Sequence, residues 1–366
     1  MQEAMSNRER ILSTIYGRPV DRFPVWLKMH NRTWRSSQPK EIRDLSGEEL
    51  LTAAGCDLML GCDIRACSES PHVTVQNINE DSLRRCIVET PEGVLVGEDS
   101  LDPFTNSWHP TRFMGETLED FRKLHWLYRD TRYWVENEDA ENARNRRREL
   151  EKRDVFTSAG VGPGPLMQLD EHLCGPQATI YHEVDDHPAF QELMELMHQD
   201  RIRMLKALLP HCAADTLWLT ENTSTTLISP DLFRRYCMPH LTEYANLILE
   251  QNVIPVHHMC GTLNALLEDI DGLPALVNEA FTTRPLGDVS LAEGRSRMPS
   301  KALIGGTNAT LWLSDPEEIA GTVEEDLNAC PDRRKIFLTS AGVLPPLVSL
   351  EKARRVTDAF RTFPAD

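Results

Sequence analysis

Residues 253–261 read V-I-P-V-H-H-M-C-G, an apolar run that passes without a break into two histidines, a cysteine and a glycine. A short apolar segment of this kind predicts a buried strand, and Gly261 lets the chain turn directly after it. His258 and Cys260 lie two apart, so in extended chain both side chains project to one face while His257 projects to the other. Imidazole with thiolate suits zinc, a borderline-soft ion. A histidine and a free cysteine that merely fill core space are the alternative left open by the pair alone.

Working outward, the same rhythm recurs on both sides. Apolar runs stand at 216–220 (T-L-W-L-T) and 155–159 (V-F-T-S-A), at 276–281, 302–305 and 336–340, and at 23–27 (F-P-V-W-L) and 56–60 (C-D-L-M-L). Helical stretches alternate with them, beginning with 6–17, where Ser6 is the N-cap, Glu9 follows three residues on and Gly17 closes the element. Eight short apolar strands separated by helices predict an α/β fold, a parallel (β/α)8 TIM barrel in preference to a doubly wound open sheet. Polar or small residues cluster directly after the strands, at 160–165, at Glu221 and Asn222, at 257–260, at 282–284, at Thr307 and Asn308 and at 340–342. In a barrel these share one rim, where active sites are built. The loop G-V-G-P-G-P at 160–165 lacks the Lys-Ser/Thr of a phosphate cradle. The chain reads as a single barrel domain over 1–366, with 61–154 an excursion between strands two and three. Within it, 84–89 and 94–98 form a hairpin around T-P-E-G, and a charged helical tract spans 126–153.

A net charge of −18 over 366 residues argues against a nucleic-acid or anionic-membrane surface, because phosphate would be repelled. Hydrophobic residues make up 40% of the chain, enough for a sizeable core, yet no run of 18 apolar residues would span a bilayer. The opening M-Q-E-A-M-S-N-R-E-R-I-L lacks the apolar stretch of a signal peptide, so a cytoplasmic location is expected. Nine cysteines, an odd number scattered over a long chain, fit reduced thiols. Cys56, Cys62, Cys67 and Cys86 lack zinc-ribbon spacing and read as packing residues.

The opening R-E-R-I-L-S-T-I-Y-G-R-P-V-D-R-F-P-V-W, the middle I-S-P-D-L-F-R-R-Y-C-M-P-H-L, the segment H-H-M-C-G and the ending F-L-T-S-A-G-V-L-P-P resemble landmarks of the uroporphyrinogen decarboxylase superfamily. Within it they resemble the methyltransferases that work with corrinoid proteins. The resemblance implies a (β/α)8 barrel, in agreement with the strand count. It also implies a zinc ion, a corrinoid (cobalamin) cofactor presented by a partner protein, and a small-molecule methyl donor; a homodimer is left open. Two departures stand out. Residues 26–34 read W-L-K-M-H-N-R-T-W where the decarboxylases carry the arginine-rich M-R-Q-A-G-R pattern, which speaks against porphyrinogen decarboxylation. The thiol-methylating members carry a G-C step after the eighth strand, where this chain has Ala341, Gly342 and Val343.

Glu221, directly after the fourth strand, is the replacement expected for that missing thiolate, giving His258, Cys260 and Glu221 as metal ligands and catalytic residues; pairing with a rim arginine such as Arg284 is its alternative. A carboxylate in place of a thiolate makes the metal harder and better matched to an oxygen leaving group. The expectation is O-demethylation of a methoxylated substrate, with the methyl group passing to cobalt(I). Methyl transfer from methylcobamide to a thiol, decarboxylation of a different acid, and a non-catalytic barrel remain as alternatives. Trp26, Met29, Trp34, Met259 and Asn308 are expected to contact substrate, with ordinary packing the alternative for the tryptophans and methionines.

Overall fold

The structure is a computed structural model that describes residues 4–29, 31–104 and 106–365. The apolar runs become eight parallel strands: β1 (Val25–Trp26), β2 (Met59–Gly61), β3 (Phe156–Gly160), β4 (Thr216–Thr220), β5 (Ile254–His258), β6 (Val277–Thr282), β7 (Ala302–Thr307) and β8 (Ile336–Thr339). They pair in the order β1-β8-β7-β6-β5-β4-β3-β2, so the chain winds once around with helices between strands, a TIM-barrel-like α/β fold. Strand alternation decides which side chains look inward. Ile254 and Val256 of β5 join Trp26, Met59, Phe156, Val277, Ala302, Ile304 and Phe337 in an interior cluster, whereas Leu217, Leu219, Leu303 and Leu338 pack outward against the helices.

The N-terminal helix Asn7–Ile15 closes the floor. Its Ser6 cap accepts the Glu9 amide, as the sequence predicts, and Ile11 and Ile15 enter the interior cluster. Burying each isoleucine contributes about 1.5–3 kcal/mol. Asn7 spans the strand beginnings, donating to Leu58 O and Asp154 O at 2.9 Å each.

The two ends of the sheet meet at Asp57. Its amide donates to Val25 O at 2.7 Å, its carboxylate accepts the Val25 amide at 2.8 Å, and Arg10 and Arg22 each approach the carboxylate at 2.7 Å. A buried carboxylate is tolerable where cations and donors surround it in this way.

Between β2 and β3 the expected hairpin is present as Leu83–Thr90 and Gly93–Asp102, but it forms the centre of a four-stranded antiparallel sheet completed by Thr74–Asn79 and Ser107–Arg112. A second pair joins Cys67–Glu69 to Arg132–Trp134. The charged tract is therefore shorter than expected. Its helix is Asn137–Lys152, and Trp126 belongs to a separate short helix, His125–Tyr128. No helix among the described residues is long and apolar enough to cross a membrane.

Candidate active site at the barrel mouth

The site is built where β5 and β6 end side by side. His258 and Glu279 are register partners, and the His258 Nδ1 meets Glu279 Oε2 in a short hydrogen bond. The other oxygen of Glu279 lies 2.6 Å from Lys28 Nζ, two residues beyond Trp26 of β1 and on the same inward side. Glu279 is fully buried, so each of its oxygens meets a cationic partner out of water. Burial alone would raise the Glu279 carboxyl; Lys28 and His258 hold it below its ordinary value. For His258, burial pulls the imidazole down, and the Glu279 charge with a hydrogen bond to Cys260 outweighs it, raising the pKa to about 9.

Beyond His258 the polar chain continues across the mouth. The Cys260 thiol lies 3.8 Å from Asn222 Oδ1, and Asn222 Nδ2 donates to Glu171 Oε2 at 2.9 Å. Asn222 has φ of 43°, a left-handed conformation that asparagine tolerates, two residues past the end of β4. Two cavities flank this chain. One, of about 390 Å³, is lined by Trp26, Leu51, Met59, Trp218 and Thr220, among others, and holds an edge-on Trp26–Trp218 pair with ring centroids 6.0 Å apart. Thr220 is the register partner of His258, which places that cavity beside the histidine. The other, of about 480 Å³, is lined by Cys260, Asn222, Asp170, Glu171 and Phe113, among others.

The residues predicted from sequence are distributed unevenly around this centre. His258 and Cys260 come together. Glu221 does not join them: it is buried after β4 with Oε1 accepting the Gly164 amide, and burial pushes its carboxyl up to about 7. Its alternative partner is elsewhere too, since Arg284 pairs with Glu293 at 2.6 and 2.9 Å. Among the described residues no three His, Cys, Asp or Glu side chains are gathered to hold a metal ion. His257 faces away from His258 and is buried, its imidazole pushed down to about 3 by burial and the Lys301 charge.

Trp26 lines the apolar cavity, but Met29, Trp34 and Met259 do not reach the mouth: all three are fully buried in the outer core, with Trp34 Nε1 donating to Val348 O at 2.8 Å. Parity is the reason, because Met29 and Met259 alternate with the inward Lys28 and His258. Asn308 ties loops together, donating to Arg284 O at 2.8 Å and accepting the Leu311 amide at 2.9 Å, and so is engaged within the fold. Lys28 and Glu279 escaped the sequence reading. Their signal was a charge at an inward position of an otherwise apolar strand or just beyond one.

His258 and Cys260 supply two donors of the kind that a zinc ion takes. Glu279 occupies Nδ1, which leaves Nε2 as the ring nitrogen free for a metal, the way a carboxylate orients metal-bound histidines. The third protein donor is not in place.

The uroporphyrinogen decarboxylase (URO-D) family profile matches residues 177–363, a stretch that includes β4 to β8, Glu221, His258 and Cys260. The chain belongs to that family. A methyltransferase from Methanosarcina mazei superposes on this URO-D family member with a TM-score of 0.61, covering 97% of this chain and 98% of that one at 15% identity, so the two share a fold along their whole lengths. Pneumococcal StrH overlaps 61% of this chain and 62% of its own at 10% identity and a TM-score of 0.32. A D-psicose 3-epimerase overlaps 60% and 80% at 9% identity and a TM-score of 0.33, and neither overlap bears on the site. No curated protein sequence matches the chain.

Proposed function

We propose that this URO-D family member is a methyltransferase that removes the methyl group of an apolar methyl ether and delivers it to a cobalt(I) corrinoid carried by a partner protein. The observation that carries the reading is the cavity of Trp26, Met59 and Trp218, whose Thr220 is the register partner of His258 on the neighbouring strand. Tryptophan faces and edges suit an aromatic or aliphatic ether body and hold it with little conformational freedom. The whole-chain likeness to a methyltransferase supports the reaction class.

His258 and Cys260 would hold zinc, which supplies Lewis acidity at the ether oxygen. A single thiolate leaves that metal harder than two would, matched to oxygen more than to sulfur. Glu279 and Lys28 keep the imidazole turned to the mouth, and Trp26 and Trp218 orient the ether. A partner-borne cobalt(I) corrinoid would accept the methyl group as the C–O bond breaks heterolytically, with the freed oxygen taking a proton from solvent. Glu221 is proposed as the third donor only if it exchanges the Gly164 amide for the metal.

The test is zinc content together with methyl transfer from 4-methoxybenzyl alcohol to cob(I)alamin. Cys260→Ser is expected to lose metal and transfer together, and full zinc in that variant would reject the assignment. Glu221→Gln decides the third ligand, with lowered zinc stoichiometry expected if the carboxylate joins the metal. Faster methylation of a thiol by methylcobalamin under the same conditions would reverse the direction proposed.

A further inference from the structure

The cavity beside Cys260 has a chemistry that ether demethylation does not use. Asp170 and Glu171 lie in a π-helical turn, Leu169–Leu173, and both line the cavity. Turns of this kind are rare and concentrate at functional sites. Asp170 is 1% exposed, and neither of its carboxylate oxygens has a hydrogen-bond partner; Glu171 Oε1 has none either. Asp170 and Glu171 form no ion pair with an arginine or lysine among the described residues, and the His172 ring lies 3.8 Å from Glu171 Oε2. Burial and the Glu171 charge both push Asp170 up, to about 6. The thiols of Cys174 and Cys237 are raised in turn by burial and by the Asp170 charge.

A carboxylate sealed from water without cation or donor, as Asp170 is, is costly unless something brings both, and the half-buried Glu171 beside it has only the Asn222 amide on one oxygen. We infer that this cavity is a subsite for a primary ammonium group, with Asp170 and Glu171 as its acceptors. Three unpartnered oxygens match the three N–H donors of –NH3+, which a quaternary nitrogen cannot offer. The Phe113 side chain in the same wall supplies a face that favours a cation. A divalent metal is the poorer occupant, since among the described residues no three His, Cys, Asp or Glu side chains are gathered to hold one. The inference rests on the methyltransferase reading only in making the amine part of the substrate; the cation site stands by itself.

The experiment compares 4-methoxybenzylamine with 4-methoxybenzyl alcohol, of nearly the same shape, by calorimetric titration of the full chain. The amine is expected to bind roughly tenfold or more tightly than the alcohol. Asp170→Asn, which keeps the side-chain shape, should abolish that preference while leaving the alcohol unchanged, and Glu171→Gln should reduce it. Equal binding of the two ligands, or a preference that survives in Asp170→Asn, overturns the site. So does binding of Mg2+ or Zn2+ alone that vanishes in Asp170→Asn. Methyl transfer from both ethers to cob(I)alamin is read separately. An amine preference without transfer keeps the cation site and rejects the demethylase, and transfer without preference does the reverse.

Discussion

Glu279 joins two cations in a place that water does not reach, and its replacement separates positioning from charge. In Glu279→Gln the side chain keeps its shape but no longer anchors the imidazole as a carboxylate, and affinity for zinc is expected to fall about 10–100-fold, measured by chelator competition. Unchanged affinity would remove Glu279 from the metal's surroundings. Glu279→Ala should instead cost about 3–5 kcal/mol of stability, because Lys28 loses its buried partner. The sequence made His258 and Cys260 legible as neighbours because they stand two apart at a strand end, where both side chains project to one face. Glu279 was hidden inside V-N-E-A-F-T, where one charge among apolar neighbours is easily read as a lapse in the strand. Met259 was misplaced for the opposite reason: it is adjacent to the site in sequence and on the other side of the chain in space.

At the scale of elements, the eight strands were readable because each is an apolar run bounded by turn residues, and burial on both faces of a parallel sheet demands that. The outer strands of the excursion were not. Thr74–Asn79 is exposed along almost its whole length, and Ser107–Arg112 carries Pro110, so neither shows the alternation that marks a half-buried strand. The closing contact between β1 and β2 was also invisible, since C-D-L-M-L gives no hint that Asp57 replaces a strand ladder with a side chain. Asp57→Asn should weaken that closure by about 3 kcal/mol, as removal of one partner from a buried ion cluster does, leaving Arg10 and Arg22 short of a charge. Urea unfolding of the two proteins at pH 7 measures it, and a midpoint unchanged from wild type would mean that the β1–β2 junction is held by packing alone.

Across the whole molecule, parts distant in sequence are fastened at Asp215, the residue before β4. It accepts Arg8 of the N-terminal helix at 2.7 Å, Arg147 of the charged helix at 2.8 Å and the Thr157 amide of β3 at 3.0 Å. Sequence could supply the barrel but not this junction, because a lone aspartate at a strand start is common and its partners lie 207 and 68 residues away. Burial alone would raise the Asp215 carboxyl, and the two guanidiniums hold it below its ordinary 3.8. Asp21 behaves alike: burial opposes the Arg10 hydrogen bond and charge, which bring it down to about 2. Groups depressed on folding contribute stability that is complete above their unfolded pKa and is lost as pH falls through the folded value. The stability that Asp215 and Asp21 supply should therefore be complete above pH 5 and be lost from about pH 4 towards pH 2, read as the urea midpoint. Asp215→Asn should lose about 3 kcal/mol at pH 7 and show a shallower decline below pH 4, since the group that titrates is gone. Unfolding midpoints collected from pH 7 to pH 3 decide it: parallel curves for the two proteins would show that acid lability arises elsewhere, while converging curves assign it to this junction.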